Sequence, residues 1–562
     1  MRKYVVWPAA VLLLGGVATP GRAQNQGAQQ RDTAECDLKT SHFAVSRAVL
    51  YIQSALNSQD TTKREQSLDG AHRSLLEALD QGQAQNPAVW HYLGIYHALK
   101  LDDDIVSLTQ ADSVADSTKA DSLRKVLEGD VDAADSSFDK VETMMPGCQK
   151  EDDQFRYMAW AKVANQGIAA MRKNDYDRAK ALFATANKVY SKDPTTYFYT
   201  ATLFAGDNNA DSALAYFKSA AEIADGDTAY TEIHEKSVDN VAQIYKVLEQ
   251  WDSAATWFRR YRTVKPEDHA AWVDLESVYF SAAQAAKDAG DSAKAKAYIA
   301  QAVPLHDSIM SQADSLPATL LFRAGVAEFG GDLAGEAAES FDAGLKDDPY
   351  YRNGLYNLTN AYFRQAQENP DSAKYYAAKM LAAGQRVRAL DPANRQVLRL
   401  IAAAYQMLGQ TDSTDAVLNR VSNMTFEVDV QVGRASNGTY EVQGVVMALQ
   451  PPAVQAIRDS IRNDSTQLEV LRQTKVPASQ RAQLRRKQRR LEASVKRLEG
   501  KLQTLNGPVS VPAVTFEFLD KSGNVVTTQS VAAQSMQPGL SRQFDLTATG
   551  DGIIAWRYKP GS

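Results

Sequence analysis

Two cysteines and seven histidines are few for a chain of 562 residues, and they are scattered. A structural zinc site draws four such ligands from closely spaced pairs, whereas Cys36 and Cys148 stand 112 positions apart. The HExxH helix of metalloproteases, the GxSxG nucleophile elbow and the GxxxxGK[ST] phosphate loop are all missing. His91 and His97 are six apart, which puts them on different sides of a helix, so both read as packing or groove residues. No catalytic residue, metal or cofactor is expected. An excess of one charge is lacking too: 62 Lys and Arg against 68 Asp and Glu give a net charge of −6, with no global attraction for nucleic acid. After residue 17 no run is long and apolar enough to cross a bilayer.

The first residues carry a signal of their own. Met1-Arg2-Lys3, an apolar run from Tyr4 to Val17 and small residues up to Ala23 form a secretory signal peptide, cut after Ala23. Interrupted by Pro8, that run is short for a membrane anchor. The expected division is a signal peptide at 1–23, a linker at 24–40 and a soluble, exported mature chain, periplasmic or secreted. Export puts Cys36 and Cys148 where a disulfide persists. A bridge would be worth about 4–5 kcal/mol in the chain-entropy model; two unrelated buried thiols are the alternative.

From residue 41 to 422 the pattern is amphipathic helix broken by Asp-Pro and Gly-Asp. Small and aromatic residues recur at steps of 12 and 4: Gly167, Ala179, Phe183; Ala201, Ala213, Phe217; Ala242, Ala254, Phe258; Gly325, Ala337, Phe341. Such spacing suits two helices crossing closely, with an aromatic filling the gap to the next pair. Trp90-Leu93-Gly94, Trp272-Leu275-Tyr279, Leu355-Leu358-Tyr362 and Leu398-Ile401-Tyr405 extend it. Equivalent positions are 34 apart for Gly167 to Ala201, Ala242 to Glu276 and Gly325 to Thr359. The segment resembles the tetratricopeptide repeat (TPR) family, a 34-residue helix-turn-helix, here an α-solenoid of about eight or nine pairs with insertions. The largest insertion, Asp102 to Asp132, is expected as an exposed loop or extra helix. Asp-Ser pairs at Asp112, Asp121, Asp211, Asp252, Asp291, Asp371 and Asp412 read as caps and first-turn charges of second helices.

The resemblance implies a superhelix whose concave groove, lined by first helices, binds a protein or peptide. Its groove positions fall on Phe198, Phe322, Phe329, Tyr356, Asn360, Phe363, Arg364 and Arg399. One subtype clamps a terminal carboxylate with Lys and Asn; Asn360 matches, but Tyr356 stands in place of a Lys. An aromatic groove for apolar segments is the expectation, and packing of these aromatics inside the array is the alternative.

Near Met424 the period changes to two, with Phe426, Val428, Val430 and Val432 alternating with polar residues. Short strands with turn signals continue after residue 508, predicting a small antiparallel β-sandwich over 424–560. Gly444-Val445-Val446, the run FEFLD ending at Asp520, Gln537-Pro538-Gly539 and Trp556/Tyr558 resemble the FxLYD-type immunoglobulin-like module of exported bacterial proteins. Inside it, residues 453–505 carry apolar residues at helical spacing on both sides of Pro477 and read as an antiparallel helical hairpin. With 13 basic and 5 acidic residues its net charge is +8, leaving −14 for the remainder. Its most basic run, Arg485, Arg486, Lys487, Arg489 and Arg490, is expected on an outward face. That face is either simply solvated or a contact for anionic lipid, polysaccharide or an acidic protein, and export argues against nucleic acid. The reading is a non-enzymatic, exported protein–protein interaction scaffold; the alternative is an envelope-associated structural protein whose hairpin contacts membrane or polysaccharide. Sequencing the N-terminus of exported protein should give Gln24; Met1 on chains retained inside the cell would overturn the compartment argument.

Overall fold

The computed structural model describes residues 36–113, 117–436, 438–451 and 453–561. The signal peptide and most of the linker lie outside the described residues. The chain divides after Pro266 into two compact units.

The first unit holds five helix pairs: α1 (Phe43–Asn57) with α2 (Thr61–Asp80), α3 (Pro87–Ser113) with α4 (Ser117–Met144), α5 (Gln149–Arg172) with α6 (Tyr176–Val189), α7 (Pro194–Gly206) with α8 (Ala210–Ile223), and α9 (Thr231–Val247) with α10 (Trp251–Val264). The second unit begins with four more: α11 (Ala270–Asp288) with α12 (Ser292–Met310), α13 (Ala318–Gly330) with α14 (Ala334–Asp347), α15 (Arg352–Glu368) with α16 (Ala373–Leu390), and α17 (Arg395–Met407) with α18 (Thr411–Ser422). The repeat-bearing segment is thus a TPR-like solenoid of nine described pairs. Its small residues sit where the helices touch. A Cβ on Gly325 would fall 2.8 Å from the Phe341 ring, and one on Gly167 would collide with Phe183. Phe183, Phe217, Phe258 and Phe341 are all fully buried, each contributing about 1.5–3 kcal/mol by leaving water.

One turn recurs between paired helices. Asn174, Asn208, Glu249, Gly290, Asp332 and Gly409 each lie two residues past a first helix with φ between 57° and 78°, the left-handed conformation that stops a helix. The next residue caps the second helix; Asp175, Asn209 and Asp291 accept from the backbone N–H three positions on. Of the Asp-Ser pairs, Asp291 is therefore a cap, and Asp211, Asp252 and Asp412 supply first-turn charge. The side chain of Asp112 lies outside the described ones.

The Asp102–Asp132 insertion makes no surface loop in its described part. It lengthens α3 to 27 and α4 to 28 residues, because Leu108, Ala111, Leu127 and Val131 continue the apolar seam and are buried. Cys36 and Cys148 are disulfide-bonded, their Cα atoms 4.7 Å apart, which ties the segment before α1 to the turn after α4.

After α18 come β1 (Phe426–Ser436), β2 (Thr439–Ala448), β3 (Val509–Val511), β4 (Val514–Leu519), β5 (Val525–Val531), β6 (Gln534–Met536), β7 (Ser541–Thr549) and β8 (Ala555–Pro560). They form sheets ordered β1-β2-β7 and β5-β4-β8 with a β3-β6 pair, all antiparallel. Val442, Phe516, Phe518, Phe544, Trp556 and Tyr558 fill the core. Between β2 and β3 stands the hairpin of α19 (Ala453–Gln473) and α20 (Arg481–Leu505), in which Val454 and Leu468 are the buried residues and α20 has none.

The sandwich is packed onto the last helix pairs. Leu519 and Ala555 join the core of α13–α18 side chains, while Ala393 joins the sandwich core. At this seam Asp391, buried, accepts from Arg352 Nη2 (2.7 Å) and Nε (3.0 Å), Asn394 Nδ2 (2.9 Å) and the Tyr558 hydroxyl (2.6 Å). The Tyr558 oxygen in turn accepts from the Ala393 N–H at 2.9 Å. Burial and the adjacent carboxylate hold the Tyr558 phenol well above its ordinary pKa, so it stays a donor. Removing one partner of such a buried ion pair leaves a charge stranded. Asp391→Ala should cost about 3–5 kcal/mol and Tyr558→Phe about 1–3 kcal/mol in denaturant unfolding of the second unit. Wild-type stability in both variants would show that the seam does not hold the sandwich.

Candidate binding face and buried acid–histidine clusters

The first helices of the second unit carry seven of the eight expected groove residues, and polar bonds link them from pair to pair. Arg323 of α13 donates to Asp274 of α11 at 2.6 Å. Arg364 of α15 donates to the Phe329 carbonyl (3.1 Å) and to Asp332 (3.0 Å), with its guanidinium 4.2 Å from the Phe329 ring centre. Tyr356 of α15 donates to Gln396 of α17 at 2.7 Å, and Arg352 lies over its ring. Asn360 donates to the Tyr356 carbonyl of its own helix, Phe363 is half-buried and Arg399 is exposed.

Phe322 departs from the expectation. It is only 8% exposed, lies 4.6 Å from the Tyr351 ring and packs on Gly344 and Gly354. It is core, because two glycines open a hole that only a large side chain fills. Phe198 lies in the first unit, half-buried against Phe217 at 5.6 Å. On the hairpin, Arg485, Arg486, Lys487, Arg489 and Arg490 are all exposed, and none forms an ion pair among the described residues.

Three acid–histidine groupings, two buried and one half-buried, escaped the sequence reading. His91 Nδ1 meets Asp152, which is fully buried, at 2.6 Å. His97 Nδ1 meets Asp130 at 2.6 Å, and Asp130 also shares a hydrogen bond with Asp104, 5% exposed. Burial, then the bond to Asp130 and its charge, push the Asp104 carboxyl up to about 7. The third joins Glu276 of α11, His306 of α12 and Glu328 of α13, all buried, with one potential ligand atom from each within 4.8 Å of the others. His306 Nδ1 lies 2.6 Å from Glu328 Oε1, and the Ser340 hydroxyl donates to the same oxygen at 3.0 Å. Burial, then the charge and hydrogen bond of Glu328, push Glu276 up to about 10. One clue was available: Glu276 occupies the position that is Ala242 one repeat earlier, where a small residue belongs.

No family model and no curated protein sequence matches the chain. Among solved structures, the C-terminal part of a TPR repeat-containing protein from Cytophaga hutchinsonii is similar at 15% identity and a TM-score of 0.31, over 46% of this chain and 93% of that one. MamA is similar at 15% identity and a TM-score of 0.25, over 34% of this chain and 91% of that one. Yeast Tom70 is similar at 12% identity and a TM-score of 0.23, over 68% of this chain and 84% of that one.

Asp104 makes the first unit sensitive to pH. Its folded pKa of about 7 lies above the ordinary 3.8, so between these values the folded state holds a proton that the unfolded state has lost. Its contribution is full below about pH 4 and lost as pH rises through 7. Thermal unfolding at pH 5 and pH 8 should therefore show a smaller drop for Asp104→Asn than for wild type. An equal drop would mean that Asp104 ionises normally.

Proposed function

We propose that the chain is a non-enzymatic, exported scaffold that holds a protein or peptide partner along the first helices α13, α15 and α17. The observation that supports this most is the pair-to-pair ladder of Arg323–Asp274, Arg364–Phe329/Asp332 and Tyr356–Gln396. It fixes half-buried aromatic rings and guanidinium groups in rows one repeat apart, so little side-chain entropy remains to be lost when a partner docks. Aromatic and arginine side chains are also the residues that carry most binding energy at interfaces. With Tyr356 in place of a clamp lysine, the expected ligand is an extended segment with apolar side chains and an occasional acid for Arg399. Phe322, being core, takes no part.

A second reading rests on the hairpin, where Arg485, Arg486, Lys487, Arg489 and Arg490 are exposed and form no ion pair among the described residues. In this reading α20 touches anionic lipid or polysaccharide, with the repeats as spacer.

Peptide-display selection on the folded mature chain separates the two. Enriched peptides should bind at least tenfold more weakly to Tyr356→Ala/Phe363→Ala, a variant whose melting temperature is checked in parallel. Peptides indifferent to that variant would refute the face. Retention on anionic vesicles or polysaccharide that disappears on deletion of Ala453 to Leu505 would favour the second reading.

A further inference from the structure

We propose that Glu276, His306 and Glu328 form a site for one divalent transition-metal cation of the zinc type, joining α11, α12 and α13. This site is independent of the partner-binding face. The argument begins with orphaned atoms. Glu276 and Glu328 are 0% exposed, and apart from each other's carboxyl neither Glu276 oxygen nor Glu328 Oε2 has a hydrogen-bond partner. A buried carboxylate is tolerated when it is paired or coordinates a metal. Here two carboxylates face each other, and their polar company is one imidazole and one hydroxyl.

The donor set is that of a borderline cation. Two carboxylate oxygens and one imidazole nitrogen suit zinc, with a fourth position for water. Bond lengths of about 2.0–2.2 Å require the three donors, now within 4.8 Å of one another, to draw inward by roughly 1 Å or less.

The surroundings match what holds metal ligands in place. A ligating histidine commonly gives its second ring nitrogen to a carboxylate, and ligating carboxylates are themselves hydrogen-bonded. His306 Nε2 lies 3.4 Å from Glu339 Oε2, which fixes the ring with Nδ1 toward Glu328. Ser340 donates to Glu328 Oε1, leaving Oε2 as the available ligand atom. Glu339 is 69% exposed at the side chain and places the outer edge of His306 next to solvent, giving an ion a way in.

The test uses the full mature chain, stripped with chelator and desalted, then given Zn²⁺ or Co²⁺. Elemental analysis after a second desalting should find about one Zn²⁺ per chain. The Co²⁺ form should show visible d–d absorption, and the melting temperature of the second unit should rise by about 3–8 °C. Glu276→Gln keeps the shape and neutrality of the protonated acid, so it should fold and yet lose bound metal at least a hundredfold. Glu339→Gln, changing a positioning residue, should keep the site but weaken it about 10–100-fold. Metal undiminished in Glu276→Gln would place it elsewhere and overturn the assignment. So would wild type that retains no metal while metal-free Glu276→Gln melts higher, the mark of a carboxyl pair held by a shared proton alone.

Discussion

Everything in the repeat array depends on how closely the two helices of a pair approach. That distance is set by a small residue on the first helix and a phenyl ring from the second, as where Phe341 lies on Gly325. A pair built this way still shows an apolar flank, which only the next pair covers, so stability is shared between neighbours. Close approach also demands a tight, repeatable reversal. The left-handed residue two positions past the first helix supplies it, and at Glu249 a side chain with no intrinsic liking for φ of 57° accepts it. Such a residue gives up about 1 kcal/mol or more to local strain, so the turn is imposed by packing rather than chosen by its own sequence.

The second unit then departs from apolar packing twice, with opposite results. Asp391 is buried, but Arg352, Asn394 and Tyr558 supply four donated hydrogen bonds. Its charge is compensated, and the partners come from α15, the N-cap of α17 and β8. A single carboxylate thus fastens the sandwich to the helices. Glu276 is just as buried, and apart from the Glu328 carboxyl its oxygens have no hydrogen-bond partner. Placing a carboxyl at the small-residue position forgoes the phenyl-on-glycine contact in that pair, and apolar burial alone gives no reason for it.

How far the sequence discloses these features follows from the range over which each is encoded. The helix pairs were legible because 12- and 4-residue steps lie within one unit, and the strands because alternation is local. The Asp and Ser content of the insertion in α3 and α4 leaves an exposed loop and an extra helix both open, although Leu108, Ala111, Leu127 and Val131 hold a helical seam through it. Phe322 looked like a groove residue because its fate depends on Gly344 and Gly354, contributed by two other helices. Tyr558 and Asp391 are 167 residues apart, and Glu276 and Glu328 are brought together across three helices whose spacing is irregular. Local pattern carries no information about such meetings. It can only flag the odd residue, as Glu276 among alanines and glycines.

The hairpin is governed by neither local pairing nor burial. With Val454 and Leu468 as its buried residues, it adds almost nothing to the sandwich core, and its arms of 21 and 25 residues extend about 30–40 Å. Within α20, Arg485 and Arg489, and Arg486 and Arg490, are like charges one turn apart, each pair opposing helix formation by about 0.2–0.5 kcal/mol. Glutamates at either place would turn that repulsion into attraction, and the array shows the device in Glu232 with Lys236 at 2.5 Å. The basic run is therefore not there for the stability of the hairpin. Its mutual repulsion is strongest at low ionic strength, where screening is weakest.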